Sequence, residues 1–375
     1  MNMCEWLEAW NRQRLLKRKI ARTEGLIDAC LRDGALARND KVGIPDARSI
    51  RRILVADTLR CFGDAMYVRG LMKELVSRFG ERVEFSLLTS ANLFEIYEGL
   101  DVPLLNFMDA GDCARASGGD FDVMIDLCYN DEGEWDFRKA FFGGLTKPTH
   151  VVTLSAIARR AQIFSSWLDV SDIRFADRLR NVVNLADALL SGDASLGQDK
   201  RLQAPRRSGG PVWPSLPCER ERAEDWIYVN TRGRDADRVL SDAQISAVCA
   251  WFEGQDRYVG HFYVEGFDLH ESSRVKRVRT KSYLDALRLM ARCQGVISPD
   301  TSAVHAAVAM DIPVLAIYGS GKKEFPSGED HSEVWGPLGE RNVVLKSRFK
   351  EIGRIPVSLI RDSADRFVRS LDGGK

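Results

Sequence analysis

The sequence predicts an α/β protein with two domains, each built on a Rossmann-like pattern. Its 375 residues, of which 45% are hydrophobic, are enough for two globular domains that each have a core of their own. Residues 53–56 form an apolar strand that leads through a glycine-containing loop into a helix, as in the first unit of a mononucleotide-binding fold. Residues 282–320 have the pattern of helix, strand, tight turn, helix and strand. Both halves of the chain therefore predict a parallel sheet covered by helices.

The first half of the chain contains a helical extension and the first domain. We place a basic, amphipathic helical extension at residues 1–50. Two interpretations are open for it: contact with an anionic membrane surface, or packing on the protein with a solvated basic face. The first Rossmann-like domain occupies residues 51–200. Within it we predict strands at 83–88 and 121–127 and a largely helical segment at 151–190.

A linker, the second domain and a final helix complete the chain. Residues 201–222 are rich in Gly, Ser and Pro, which predicts an inter-domain linker. The second Rossmann-like domain occupies residues 223–355, and residues 356–375 form a C-terminal helix with an apolar stripe. The strands predicted for the second domain are 226–230, 258–264, 295–297, 313–318 and 343–345.

The charge balance and the cysteines exclude several classes of protein. Lys and Arg number 54, as do Asp and Glu, so the net charge is +0 and no global field attracts nucleic acid. The eight cysteines form no C-x-x-C pair, which argues against a zinc knuckle and a disulfide framework. No apolar run reaches the length of a membrane span and no signal peptide is evident, so we expect a cytoplasmic protein. The cysteines expected as reduced core residues are Cys61, Cys128, Cys249 and Cys293.

Polar residues gather at the tight turn of the second domain. Asp300 falls just past the carboxyl end of a buried strand, where open α/β sheets bind their ligands. Thr301 or Ser302 can cap the next helix, and His305 lies one turn further on. The next strand ends in Gly319. Free amides at the helix start, beside these side chains, favour a site for a phosphate or a sugar diphosphate. An ordinary helix cap with an unrelated histidine is the alternative.

Two longer motifs are more specific than a helix cap. The first is D-T-S-x-x-H-x-A at 300–307, followed by P-V-L-A-I-Y-G at 313–319. It resembles the carboxyl-terminal signature of the heptosyltransferase family (glycosyltransferase family 9), usually D-T-G-x-x-H-x-A-A-A and then P-x-x-x-x-F/Y-G, so Ser302 replaces a Gly. The second is Gly63-Asp64, which matches the G-D before the first helix of that family. The family's Lys-Arg-Trp-Pro element is absent here.

The resemblance implies a GT-B architecture, in which two Rossmann-like domains face each other across a cleft and the terminal helix packs back toward the first domain. It implies an inverting, metal-independent glycosyltransferase without a cofactor, which moves a sugar such as heptose from ADP-heptose to a saccharide such as lipopolysaccharide core. Asp64 would be the general base that takes the proton of the acceptor hydroxyl, and Asp126 would contact the acceptor. The donor would bind Arg232, Arg238, Asp300, Thr301, Ser302, His305 and Gly319. Glu265, which follows a strand, is a candidate for the ribose hydroxyls.

Other interpretations of the same fold stay open. A sugar-nucleotide epimerase would share the diphosphate site and would need further acid and base residues in the cleft. A catalytically silent binding protein would keep the fold without the chemistry. We keep this alternative because the Lys-Arg-Trp-Pro element is absent. The predicted partners are a nucleotide sugar and a glycan or glycolipid, with no nucleic acid. The basic extension is the element available for peripheral contact with the cytoplasmic face of the inner membrane.

Overall fold

Two parallel β-sheets, one in each half of the chain, form the framework of the protein. Every pairing between the strands of these sheets is parallel. Parallel sheets are covered by helices on both faces, so the predicted α/β class is confirmed. The predicted helical extension lies outside the described residues up to residue 44. This computed structural model describes residues 45–57, 61–118, 121–127, 150–154, 166–168, 174–193, 201–202, 209–218, 224–254, 261–265, 272, 274–320 and 331–372.

Among the described residues, the first sheet has seven strands. They are β1 (Arg52–Ala56), β2 (Glu84–Thr89), β3 (Leu104–Asn106), β4 (Val123–Asp126), β5 (His150–Thr153), β6 (Ser166–Leu168) and β7 (Arg201–Leu202). Their spatial order is β3-β2-β1-β4-β5-β6-β7, and the first five follow the order of a Rossmann fold. From β1 the strands are added first toward one edge of the sheet and then, from β4 onward, toward the other edge. This topological switch point lies between β1 and β4, so ligands are expected beyond the carboxyl ends of these two strands.

In the part of the second half that the structure describes, the sheet has six strands. They are β8 (Glu224–Asn230), β9 (His261–Glu265), β10 (Val275–Val278), β11 (Cys293–Pro299), β12 (Val314–Tyr318) and β13 (Val343–Lys346). Their order, β10-β9-β8-β11-β12-β13, repeats the Rossmann arrangement with its switch point between β8 and β11. The motifs singled out in the sequence therefore lie at the switch points of the two sheets.

Helices cover the sheets. They are α1 (Phe62–Phe79), α2 (Phe94–Tyr97), α3 (Ala110–Gly118), α4 (Phe175–Ser191), α5 (Asp242–Glu253), α6 (Tyr283–Ala291), α7 (Ser302–Ala309), α8 (His331–Trp335) and α9 (Val357–Asp372). Within the described ranges, none of these helices combines the length and the apolar character needed to cross a membrane.

The prediction of a largely helical segment at 151–190 is wrong in its first part. Strand β5 contains the buried residues Val151, Val152 and Thr153. Their β-branched side chains favour a strand over a helix. The helix of this segment is α4, and it ends at Gly192, which adopts a left-handed conformation with φ of 71°.

The terminal helix α9 packs on the second domain. We expected it to lie toward the first domain, but it contacts α5 and the strands β11, β12 and β13. The reason is its apolar stripe, which is part of the buried core of the second domain and leaves the opposite face polar. Gly295 of β11 accommodates this helix: a Cβ there would lie 2.9 Å from Leu371 and 3.1 Å from Phe367.

The two domains meet through a shared apolar cluster. Helix α1 of the first domain packs directly against α7 of the second. Beside them, the rings of Phe175 and Trp335 lie 4.6 Å apart between centroids, and Tyr67 lies 6.3 Å from Trp335. Phe62 also stacks on Tyr283 across the same boundary, at 4.3 Å. Burial of this cluster on both sides fixes how the carboxyl edges of the two sheets face each other.

Residues 209–218 of the predicted linker pack against the first domain. The amide of Ser215 donates to the carbonyl of Met66 at 2.9 Å. The chain passes so close to α1 that a Cβ at Gly70 would lie 2.0 Å from the carbonyl oxygen of Trp213. Glycine at position 70 therefore permits a backbone contact that any side chain would obstruct.

We predict that Gly70→Ala destabilises the protein by about 1–3 kcal/mol, because the added methyl group must displace the backbone at Trp213. Helix propensity alone predicts the opposite sign, a gain of about 1 kcal/mol for alanine in a helix. Urea unfolding followed by circular dichroism measures the difference. Gly210→Ala is the matched control, because nothing lies within 4 Å of a Cβ at that position. A stabilised Gly70→Ala variant would contradict the prediction.

Candidate functional site

The carboxyl ends of β8 and β11 are joined by a polar network at the start of α7. Thr301 is the N-cap of α7, and its hydroxyl accepts the amide of Ala303 at 3.2 Å. The side-chain amide of Asn230 donates to the hydroxyls of Ser298 and Thr301, at 3.1 Å and 3.0 Å. This network fixes the start of α7, whose dipole favours an anionic ligand. Thr301 therefore has the predicted capping role.

Asp300 stands between two cationic or hydrogen-donating side chains. Nη1 of Arg238 lies 3.5 Å from its Oδ2 atom, and Nδ1 of His331 lies 3.3 Å from the same atom. Burial by itself would raise the pKa of Asp300, but the contact with His331 and the charge of Arg238 outweigh burial and hold the pKa below its ordinary value. Asp300 is consequently a carboxylate at neutral pH.

The arginine-rich loop after β8 places its two predicted residues differently. Arg238 approaches Asp300, whereas Arg232 is exposed and forms an isolated bridge with Val239. Gly233 makes the loop compact, because its amide donates to the carbonyl of Arg238 at 2.7 Å and a Cβ there would lie 3.1 Å from Thr301. Of the two arginines, Arg238 is the one that the fold holds beside the start of α7.

His305 lies at the contact between the two domains. Its ring packs edge-on against Tyr67 at 5.2 Å and against Trp335 at 5.8 Å. Burial lowers the pKa of His305 to about 4, Asp300 opposes this shift and Arg238 adds to it, so the imidazole is neutral at pH 7. Its Nδ1 atom is buried and has no hydrogen-bond partner among the described residues. Such an atom is available to a ligand, since an unsatisfied buried polar group is costly.

Gly63 explains why a G-D pair precedes α1. A Cβ at this position would lie 2.7 Å from Cδ2 and 3.4 Å from Nε2 of His305, and 3.7 Å from the Cα atom of Ser302. Only glycine lets the first turn of α1 come this close to the first turn of α7. The neighbour Asp64 is thereby brought to the second domain.

Asp64 is a buried carboxyl group in the first turn of α1, with 8% of its surface exposed. Burial raises the pKa of Asp64 to about 8, and the charge of Asp57 adds to the rise. A hydrogen bond with Cys61 and the charge of Arg238 lower it, while Asp300 raises it further. Because Arg238 and Asp300 belong to the second domain, the two halves of the predicted site form one electrostatic unit.

Asp57 was not among the residues predicted for the site. It follows β1, is fully buried, and accepts a hydrogen bond from the hydroxyl of Tyr97 at 2.8 Å. The hydroxyl of Thr89 lies 3.5 Å from the same carboxylate oxygen. A signal was present in the sequence: an acidic residue directly after a buried strand occupies the ligand edge of a parallel sheet.

Three other predicted residues make hydrogen bonds or close backbone contacts within the protein. Asp126 is buried at the end of β4 and accepts from the hydroxyl of Thr153 at 2.9 Å. Glu265 accepts from the hydroxyls of Tyr228 and Thr280. Gly319 directly follows β12. A Cβ there would lie 2.1 Å from the carbonyl oxygen of Lys350, so this position requires glycine. These contacts account for the three residues without a ligand, and their predicted binding roles stay predictions.

Cysteine placement differs in part from the expectation of a core. Cys293 is buried, but Cys61 is exposed because it is the N-cap of α1 at the edge of the site. Cys128 lies outside the described residues. The part of the chain that the structure describes holds no group of three His, Cys, Asp or Glu arranged around a metal ion.

Comparisons with known proteins agree with the motifs. Residues 280–351 match the model of glycosyltransferase family 9 (heptosyltransferase), which confirms the resemblance and supports glycosyltransferase activity. A comparison with curated proteins finds no significant match.

Solved structures share the fold at low sequence identity. The ADP-heptose lps heptosyltransferase II of E. coli is 12% identical with a TM-score of 0.58, over 85% of this chain and 99% of that one. E. coli heptosyltransferase WaaC with ADP is 12% identical with a TM-score of 0.58, over 84% and 99%. A family 9 glycosyltransferase from Veillonella parvula DSM 2008 is 14% identical with a TM-score of 0.60, over 87% and 99%. The predicted GT-B fold is confirmed.

We predict that Asp57→Asn lowers the pKa of Asp64 below about 8, because the variant removes the charge that repels ionised Asp64. Carbon NMR titration of the aspartate carboxyl groups measures it, with the Asp64 signal assigned from its loss in Asp64→Asn. Asp126→Asn is the control, since that carboxyl group is also buried at the sheet edge but hydrogen bonds to Thr153. An equal fall in both variants, or none in Asp57→Asn, would contradict the prediction.

Proposed function

We propose that this protein is an inverting, metal-independent glycosyltransferase that moves a heptose from ADP-heptose to a saccharide acceptor such as lipopolysaccharide core. The observation that carries the proposal is Asp64, a buried carboxyl group with a pKa of about 8 that experiences the charges of Arg238 and Asp300 across the domain boundary. A base in one domain that faces an anion site in the other is the arrangement that glycosyl transfer needs.

In this proposal the donor diphosphate binds at the start of α7. There the helix dipole and the guanidinium of Arg238 offer positive charge to the diphosphate. The buried Nδ1 atom of neutral His305, which has no hydrogen-bond partner in the described part of the chain, offers one hydrogen bond in addition. The network around Thr301 fixes the helix start, Asp300 holds Arg238, and the rings of Tyr67 and Trp335 hold His305. Groups held in this way stabilise the charge that develops on the leaving diphosphate without reorganisation.

The proposed reaction is a single displacement at the anomeric carbon of the donor sugar. Asp64 takes the proton of the acceptor hydroxyl while its oxygen forms the new glycosidic bond. The bond from the anomeric carbon to the diphosphate oxygen breaks with its electron pair, and the nucleoside diphosphate departs with the negative charge. Attack from the face opposite the diphosphate inverts the configuration. A carboxylate with a raised pKa is a strong base for this step, although a smaller fraction is ionised at neutral pH.

The choice of donor and acceptor is supported by the relatives. The similar E. coli structures are heptosyltransferase WaaC with ADP and with ADP-2-deoxy-2-fluoro heptose, and ADP-heptose lps heptosyltransferase II. Arg238, which contacts Asp300, offers a cationic side chain to the diphosphate in place of the absent Lys-Arg-Trp-Pro element. ADP-heptose is therefore the first donor to test, and a cytoplasmic protein at the inner face of the membrane is the setting that suits a glycolipid acceptor.

We predict that Asp64→Asn lowers kcat by about 10²- to 10⁴-fold, the contribution of a general base, and leaves the affinity for ADP-heptose unchanged. In the wild-type protein kcat/KM should rise with pH up to about 8, because only ionised Asp64 accepts a proton. ADP release with a lipopolysaccharide core acceptor measures the rate, and calorimetry measures donor binding.

Asp101→Asn is the matched control for this prediction, since Asp101 is an exposed carboxylate of the same domain and its removal should change neither quantity. Unaltered transfer by Asp64→Asn would remove Asp64 from its role. Absence of nucleotide binding by the wild-type protein would favour a catalytically silent binding protein.

A further inference from the structure

We propose that His331 is a positioning residue that fixes the direction in which Asp300 presents its free carboxylate oxygen to the sugar of the donor. The inference rests on the proposed function and adds a residue that the sequence motifs do not contain. His331 is the first residue of α8, and its Nδ1 atom lies 3.3 Å from Oδ2 of Asp300. Both side chains are largely withdrawn from solvent, with 16% and 10% of their surfaces exposed.

The geometry at Asp300 separates its two oxygens. Arg238 and His331 both approach Oδ2, at 3.5 Å and 3.3 Å. The other oxygen, Oδ1, has no hydrogen bond or ion pair among the described residues. A carboxylate accepts through both oxygens, so Oδ1 is the atom left for a ligand hydroxyl. Two neighbours on one oxygen set the rotation of the group, and this rotation determines where Oδ1 points.

Arg238 alone would fix this rotation less well. Its Nη1 atom is 3.5 Å from Asp300, and the same guanidinium also lies 3.8 Å from Asp235, so it divides its charge between two carboxylates. His331 makes the shorter contact with Oδ2, and it belongs to α8 rather than to the loop that carries Arg238. The contact also contributes to the low pKa of Asp300, which keeps the carboxylate able to accept.

Helix α8 holds His331 in place from its opposite end. The ring of Trp335 packs against Phe175 at 4.6 Å and against His305 at 5.8 Å. Its carbonyl accepts a hydrogen bond from the hydroxyl of Tyr318 at 2.9 Å. One end of this short helix is thus anchored in the inter-domain cluster while the other end contacts Asp300. The contact between the two domains therefore helps to hold His331 beside Asp300.

The test compares three substitutions at position 331 by calorimetry, with ADP and ADP-heptose as the ligands. We expect His331→Leu to weaken ADP-heptose binding by about tenfold, the effect of one hydrogen bond to a charged group, and to leave ADP binding unchanged. His331→Asn should restore the affinity, because its amide nitrogen takes the place of Nδ1 beside Oδ2 of Asp300. His331→Gln places the amide where Nε2 stands and should not restore it. Glu333→Gln, at an exposed position of α8, is the control for damage to the helix.

Two results would overturn the proposal. One is a His331→Leu variant that binds ADP-heptose like the wild type, and the other is one that loses ADP and ADP-heptose equally. Carbon NMR titration of Asp300 separates this outcome from a failure of the proposed function: His331→Leu should raise its pKa and His331→Asn should not. Wild-type protein that binds neither ligand would refute the proposed function and the role toward the sugar, whereas an unchanged Asp300 pKa in His331→Leu would refute the positioning contact itself.

Discussion

The close approach of α1 to α7 is the constraint on which the rest of the site depends. It exists because Gly63 has no Cβ, which would otherwise meet the ring of His305 at 2.7 Å. The contact is surrounded by apolar packing from both domains, including Tyr67 and Trp335, so the helices are pressed together by burial of apolar surface. As a consequence the first turns of two helices, each at the switch point of its own sheet, face one another.

This contact has an electrostatic consequence. Two carboxyl groups are buried near this contact, and their pKa values diverge: that of Asp64 rises to about 8 and that of Asp300 falls. The difference follows from their neighbours, because Asp64 has Asp57 beside it whereas Asp300 has Arg238 and His331. Two carboxyl groups are thereby given different tasks, one suited to accept a proton and the other to accept hydrogen bonds as a permanent anion.

The sequence predicted most of the fold, because buried parallel strands are continuous apolar runs and each switch point carried a recognisable turn. It failed at 151–153, where a short β-branched strand lies close to a longer helical pattern, and for α9, whose stripe does not say which domain it covers. Asp64, Asp300 and His305 were found because they stand in motifs. Asp57 and His331 were not, since their roles depend on contacts with residues far away in the chain.

The proposed function requires that residues of both domains form one site around a nucleoside diphosphate. The most direct measurement is a carbon NMR titration of Asp64 with and without saturating ADP. Because the diphosphate would add negative charge to the electrostatic unit that already includes Arg238 and Asp300, we expect bound ADP to raise the pKa of Asp64 above about 8. An unchanged pKa with ADP bound would contradict it, since the nucleotide would then lie outside the field that joins the two domains.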